Sequence, residues 1–375
     1  MSNVMDYIDW RGDLSFDAAP VNEIDKYIFT CIGKPDYTGI IPAGTETLSI
    51  KEALDGFLEL HPENGEKLGV IASAKTIPAI KKASVSERYA DVRLSGFINK
   101  ISVEKTEQFS ALTVLADGIN YVSFRGTDDT IVGWKENCEL AVYDCVPAQI
   151  DALKYLMWAA ENYEGPLIVC GHSKGGNLAT YAASYAPEEV QDRIIEVNCY
   201  DSPGFRDAFL AFEGYKRVQE KITTYVPYKS VIGMLLGQAG RLDVIDADTT
   251  GVVGHDGFTW SVSRDSFSHA PELSDFSKVF RSSIAETLEG MDIDDRKELV
   301  EEIFDVLTSS GAFTLSDFTE QNMRQALETA KQFRRAGEIR SFVFKVIEKS
   351  VKTSIGARRE ERRASAEEHE MAHAE

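Results

Sequence analysis

The chain has 375 residues, 43% of them hydrophobic, enough to bury one large core and carry an appended piece. Its formal charge of −21 at pH 7, from 61 acidic against 40 basic side chains, argues against the clustered cationic surface that nucleic acid or anionic lipid would need. Five scattered cysteines show no metal-ligand spacing and point to a reducing compartment, with Cys170 and Cys199 placed as small hydrophobes in apolar runs.

In chain order, the first ten residues carry early acids and neither a basic nor an apolar leader region. The apolar run 231–236 is too short to cross a bilayer. The expectation is a soluble cytoplasmic protein with no stable membrane insertion. Periodicity predicts a short helix over 22–31, a stronger one over 47–60 and a third over 77–90. The period then shortens to that of strands at 94–101, 109–115 and 119–124, the last two joined by the tight turn Ala116-Asp117-Gly118. Helices are expected at 133–142 and 148–163, then buried strands at 167–170, 194–200 and 221–226. Strand–helix alternation from about 119 to 226 implies a mostly parallel α/β sheet of doubly wound type with helices on both faces, preceded by antiparallel strands. Beyond Pro271 the composition turns helical, with segments at 274–288, 294–307, 315–336 and 339–352, and a polar charged tail from 356 to 375. The expected division is a 1–270 domain whose first 90 residues are largely helical, a 271–355 helical extension and that tail.

The most informative stretch is 167–179, L-I-V-C-G-H-S-K-G-G-N-L-A. An apolar strand runs straight into Gly171-His172-Ser173-Lys174-Gly175 and then into a helix, which is G-x-S-x-G in its strand–turn–helix setting. Such a turn is too tight for side chains beside the serine, so glycines flank it. Ser173 would then stand exposed at the carboxyl end of the sheet, on the positive end of the following helix. The competing reading is a Gly-rich turn with a bystander serine.

A serine hydroxyl needs an imidazole to take its proton and a carboxylate to orient that imidazole. Of six histidines, His255 and His269 are the candidates, and His255, in the glycine-flanked loop G-V-V-G-H-D-G-F-T-W, is favoured. Asp201, at the tip of the strand after the nucleophile strand, is the favoured acid, with Asp243, Asp246 and Asp248 as alternatives. Oxyanion donors are expected from the N–H of Lys174 and from the loop Arg125-Gly126-Thr127-Asp128, where Thr127 offers an N–H and a hydroxyl.

Tyr121-Val122-Ser123-Phe124-Arg125-Gly126-Thr127, Trp134 and Gly171-His172-Ser173-Lys174-Gly175-Gly176-Asn177-Leu178-Ala179 together resemble the fungal-type class 3 lipases, an α/β-hydrolase family. That family carries F-R-G-[ST], a downstream Trp, G-H-S-L-G-G-A-L and Y-G-x-P, the last matched by Cys199-Tyr200-Asp201-Ser202-Pro203-Gly204-Phe205. The opening Asp6 to Asp13 and the Tyr-Asp-Ser-Pro-Gly-Phe segment look closer to an uncharacterised bacterial branch of those hydrolases. The resemblance spans about residues 5–265 and implies Ser173 as nucleophile with Thr127 and Lys174 as oxyanion donors. Three departures stand out. The family's acid position is matched by Thr224, so Asp201 would be a shifted acid, as in pancreatic-type lipases. Lys174 replaces Leu and puts a charge beside the site. The loop after Thr127 leaves little room for a lid, and the run 230–237 would be either a substitute cover or a core helix.

The resulting expectation is a serine hydrolase acting on a small-molecule or lipid ester through an acyl-enzyme, with Ser173, His255 and Asp201 as triad and no metal or organic cofactor. The alternatives are an acyltransferase or thioesterase on the same residues, or a hydrolase-fold scaffold whose C-terminal helices bind a partner.

Overall fold

The computed structural model of the chain describes residues 2–62, 68, 72–247, 249, 253–289, 292–308 and 313–314. Eight strands pair into one sheet in chain order: β1 (Leu48–Ser49), β2 (Arg93–Ser102), β3 (Glu107–Ala116), β4 (Ile119–Phe124), β5 (Leu167–His172), β6 (Ile194–Tyr200), β7 (Ile222–Pro227) and β8 (Arg241–Ile245). Pairing is antiparallel from β1 to β4 and parallel from β4 to β8. In the β3–β4 turn, Asp117 (φ 52°) and Gly118 (φ 68°) are both left-handed, the backbone twist that a two-residue hairpin demands.

Among the described residues the helices are α1 (Val4–Arg11), α2 (Glu23–Ile32), α3 (Ile50–Leu60), α4 (Thr76–Ser84), α5 (Ile131–Glu139), α6 (Pro147–Asn162), α7 (Lys174–Tyr185), α8 (Glu188–Arg193), α9 (Asp207–Leu210), α10 (Glu213–Val218), α11 (Asp275–Glu289) and α12 (Ile293–Thr308). The strand order never reverses, which differs from a doubly wound sheet. Right-handed crossovers between successive neighbouring strands put their helices on one face, and α6, α7 and α10 accordingly pack together there. The second face is covered instead by the N-terminal helices and by residues 258–267. β5 shows why its apolar run is unbroken: Leu167 and Val169 enter the core under α6 and α7, while Ile168 and Cys170 enter the core under the N-terminal layer. The result is an α/β-hydrolase fold with a mostly parallel sheet and helices on both faces.

Local chemistry moved two expected helix boundaries. Residues Leu48 and Ser49 pair with β2, and the Ser49 hydroxyl then caps α3 by accepting the Glu52 N–H at 3.2 Å. The helix expected to run to 90 stops at Ser84 and continues as a 3₁₀ turn, Glu87–Tyr89. There the fully buried Arg88 donates from Nε to Asp25 Oδ1 at 2.8 Å and from Nη1 to the Leu14 and Ala19 carbonyls. That guanidinium ties the segment 14–20 to Asp25 of α2.

The chain divides into two compact units, residues 1–128 with 132–293, and residues 129–131 with 294–375. The composition shift at Pro271 marks the onset of helix, but the first unit takes in α11, whose Phe280 packs with Val226, Met234 and Val244. In the second unit, the Ile131 N–H donates to the Phe313 carbonyl at 2.9 Å. The helices expected over 315–336 and 339–352, and the tail, lie outside the described residues. Among the described residues no helix is long and apolar enough to cross a membrane.

Candidate active site

The turn from β5 to α7 places Ser173 at the carboxyl end of the sheet with φ 58° and ψ −130°, a conformation that side-chain-bearing residues avoid. Long-range contacts hold it there. The Ser173 N–H donates to the Tyr200 carbonyl at 2.9 Å, and a Cβ on Gly175 would sit 2.1 Å from the Phe124 carbonyl oxygen. A Cβ on Gly171 would lie 2.1 Å from the Gly175 carbonyl carbon. The glycines are therefore required by backbone approach. Gly175→Ala is expected to lower stability by about 3 kcal/mol, measured by denaturant unfolding against wild type.

Directly after β6 comes Asp201, which also holds a left-handed backbone (φ 44°) while its N–H donates to the Tyr225 carbonyl at 2.7 Å. Its carboxylate is buried and fully engaged. Oδ1 accepts the Ser230 hydroxyl at 2.5 Å and the Gly233 N–H at 3.0 Å, and Oδ2 lies 2.6 Å from His255 Nδ1. Run 230–237 is thus not a core helix. It forms a 3₁₀ turn, Ile232–Met234, whose start cradles the carboxylate. Sequence reasoning missed this role, and a short apolar run with one serine gives no signal for it.

His255 lies at the end of the 3₁₀ turn Val253–His255, with its side chain 15% exposed. Its loop is anchored by Trp260, whose indole N–H donates to the Gly254 carbonyl at 2.8 Å and whose ring stacks on Tyr27 of α2. The N-terminal layer is thereby the platform for this loop. The bond from Nδ1–H to Asp201 leaves Nε2 as the ring's acceptor. Among the described residues Ser173 Oγ makes no hydrogen bond to that ring, so two of the three expected triad members are directly joined and the third stands at the neighbouring turn. The rival residues lie elsewhere. Asp243 pairs with Arg241 at 3.0 Å, His269 Nε2 lies 3.6 Å from Glu23, and Asp248 is outside the described residues. The Asp246 backbone is bonded to Ser268 and Ser261.

His172, inside the turn itself, supports His255. Its Nε2–H donates to the His255 carbonyl at 2.7 Å, and the two rings lie 4.4 Å apart. Burial, then the neighbouring charges of His255 and Lys34, push the His172 imidazole well below 6.5. The unfolded chain takes up a proton near 6.5 that the folded chain refuses, so stability present above that pH is lost on acidification. This one group accounts for at most about 1.4 kcal/mol per pH unit. Between pH 7 and 5, His172→Gln, whose amide still donates to His255, is expected to lose stability more shallowly than wild type, and equal slopes contradict this.

Of the expected oxyanion donors, Thr127 lies in the loop after β4, and a Cβ on Gly126 would come within 3.1 Å of Ser173 Cβ. Thr127 Oγ1 is buried and has no hydrogen-bond partner among the described residues. Lys174 opens α7, where the first N–H groups have no acceptor within the helix. The expected charge beside the site is not there. The Lys174 ammonium is fully buried, donating to Glu136 Oε2 at 2.7 Å and to the Gln108 carbonyl at 2.6 Å. No group of His, Cys, Asp and Glu among the described residues has the arrangement of a metal site.

A family model described as Mbeg1-like matches residues 83–305, more than half of the chain. Among curated proteins no sequence matches. Solved structures with some likeness include the Rhizomucor miehei lipase propeptide complex, 15% identical over 59% of this chain and 67% of that one, with a TM-score of 0.34. A lipase from Rhizopus microsporus var. chinensis is 15% identical over 70% of this chain and 92% of its own, with a TM-score of 0.33. A mutant of MDLA from Penicillium cyclopium is 14% identical over 71% and 92%, with a TM-score of 0.39.

Proposed function

This chain belongs to the Mbeg1-like family, and from the geometry of the elbow we propose that it is a serine hydrolase of carboxylic esters, lipid-type esters included, working through an acyl-enzyme. The observation that carries the reading is the 2.6 Å bond between Asp201 and His255 at the mouth of a turn that strains Ser173 to φ 58°. No packing requirement explains a buried carboxylate, a mostly buried imidazole and a strained serine at one sheet edge.

In this mechanism Ser173 Oγ attacks the ester carbonyl carbon while His255 Nε2 takes its proton. Asp201 holds the imidazole in the tautomer that accepts at Nε2 and stabilises the imidazolium that forms. The carbonyl oxygen, now carrying the negative charge, is met by the Lys174 N–H and by the N–H and hydroxyl of Thr127. Collapse expels the alcohol, which leaves with the proton from His255. Water, deprotonated by the same nitrogen, attacks the acyl carbon, and the carboxylic acid departs as Ser173 regains its proton. We place the protein with the bacterial lipase-like hydrolases and in the cytoplasm as part of the same reading.

A fluorophosphonate probe should label Ser173, and a chain-length series of p-nitrophenyl esters and acyl thioesters, with and without alcohol acceptors, should show ester hydrolysis dominating. Native protein left unlabelled beside a reactive control esterase sinks the proposal. Faster thioester turnover, or product dominated by acyl transfer to alcohol, replaces it with a thioesterase or acyltransferase.

A further inference from the structure

The first turn of α7 contains two polar residues, Lys174 and Asn177, whose side chains face inward and are buried. Each is stapled to other elements. Asn177 Oδ1 accepts from Gln149 Nε2 of α6 at 2.8 Å, and its amide donates to the Gly204 carbonyl at 2.9 Å. Lys174 is held by Glu136 of α5 and by the Gln108 carbonyl of β3. Glu136 is saturated in turn: Oε2 also accepts the Gln108 N–H at 3.0 Å, and Oε1 accepts the Ala148 N–H at the start of α6 at 2.9 Å.

A buried ion pair is a poor way to gain stability, because desolvating both charges costs about what their attraction returns, and apolar residues of similar volume usually do as well or better. A leucine would satisfy packing here. The pair supplies direction, since an ammonium with fixed acceptors sets the rotation and height of the residue that carries it. That residue's own N–H is one proposed oxyanion donor. Its partner sits on the helix that follows the loop bearing the other, Thr127.

We propose that Lys174 and Glu136 form a positioning pair that fixes the spacing and aim of the two oxyanion donors, an inference that rests on the hydrolase reading above. Neither side chain touches the substrate. Both act through the N–H of Lys174 and the loop of Thr127.

The test is Lys174→Met, which keeps the unbranched shape of the side chain, one atom shorter, and removes its charge. The kcat for a p-nitrophenyl ester is expected to fall about 10- to 100-fold with KM changed less than about two-fold. Affinity for an acyl trifluoromethyl ketone, whose Ser173 adduct places an oxyanion between the donors, should fall by the same factor. Affinity for the matching secondary alcohol, which forms no oxyanion, should stay as in wild type. Unchanged ketone affinity in the folded variant, or equal losses for ketone and alcohol, overturns the proposal. Should Glu136, left unpaired, prevent folding, the double variant Lys174→Met with Glu136→Gln is expected to fold and show the same selective loss. Wild-type ketone affinity in that variant, or failure of both variants to fold, also overturns it. Wild-type protein that reacts with neither ester nor fluorophosphonate defeats the hydrolase reading itself, which is a separate outcome.

Discussion

Ser173→Ala is expected to lower ester turnover by about 10⁴- to 10⁶-fold while leaving KM and thermal unfolding nearly unchanged. The loss is specific because the hydroxyl contributes no hydrogen bond to the fold among the described residues, whereas the strained backbone is held by groups the substitution does not touch. The Ser173 N–H keeps its bond to the Tyr200 carbonyl, and alanine at φ 58° is strained to much the same degree as serine. The proposed oxyanion donors remain, so ground-state binding is expected to survive and only the covalent route to disappear. Steady-state kinetics on a p-nitrophenyl ester, with fluorophosphonate labelling in parallel, decides the matter. More than about 1% residual turnover, well above what the remaining site supplies, removes Ser173 from the mechanism.

Asp201→Asn is expected to cost about 10⁴-fold in kcat near neutral pH, through the tautomer of His255. The groups facing Oδ1, the Ser230 hydroxyl and the Gly233 N–H, are both donors at this carboxylate. An asparagine must therefore keep its carbonyl oxygen on that side and turn its NH₂ toward His255 Nδ1. A donor facing Nδ1 selects the ring with the proton on Nε2, and that nitrogen then has no lone pair for the proton of Ser173. Because the hydrogen bonds of Oδ1 are retained, unfolding by denaturant should shift little. Asp243→Asn, at a carboxylate paired with Arg241 on β8, should change kcat less than about two-fold, within the range of a surface ion pair. A comparable loss in Asp243→Asn, or a small one in Asp201→Asn, moves the acid away from Asp201.

The two results probe different links. The serine was legible because its constraint is local: glycines at fixed offsets between an apolar strand and a helix describe a turn that only one backbone path satisfies. The proposed acid and base were legible only as candidates. His255 is 54 positions from Asp201, and no pattern along the chain states that the two meet. Elimination among six histidines and reading the ends of strands narrowed the choice, and folding joined the pair. His172, Ser230, Gly233 and Glu136 were not legible at all, since a residue that holds another in place has no composition or spacing of its own.

Periodicity and punctuation in the sequence determined six of the eight sheet strands, β2 to β7, most of the helices and the G-x-S-x-G turn of this chain, because each depends on residues a few positions apart. Only the tertiary structure decided that the strands lie in unbroken chain order, so that the N-terminal helices must cover the second face and seat the histidine loop. It also decided that Lys174 carries its charge into the core rather than the cleft. Those outcomes depend on which distant groups share a buried volume, where an ammonium must find a carboxylate and a carboxylate its donors, and that accounting closes only in three dimensions.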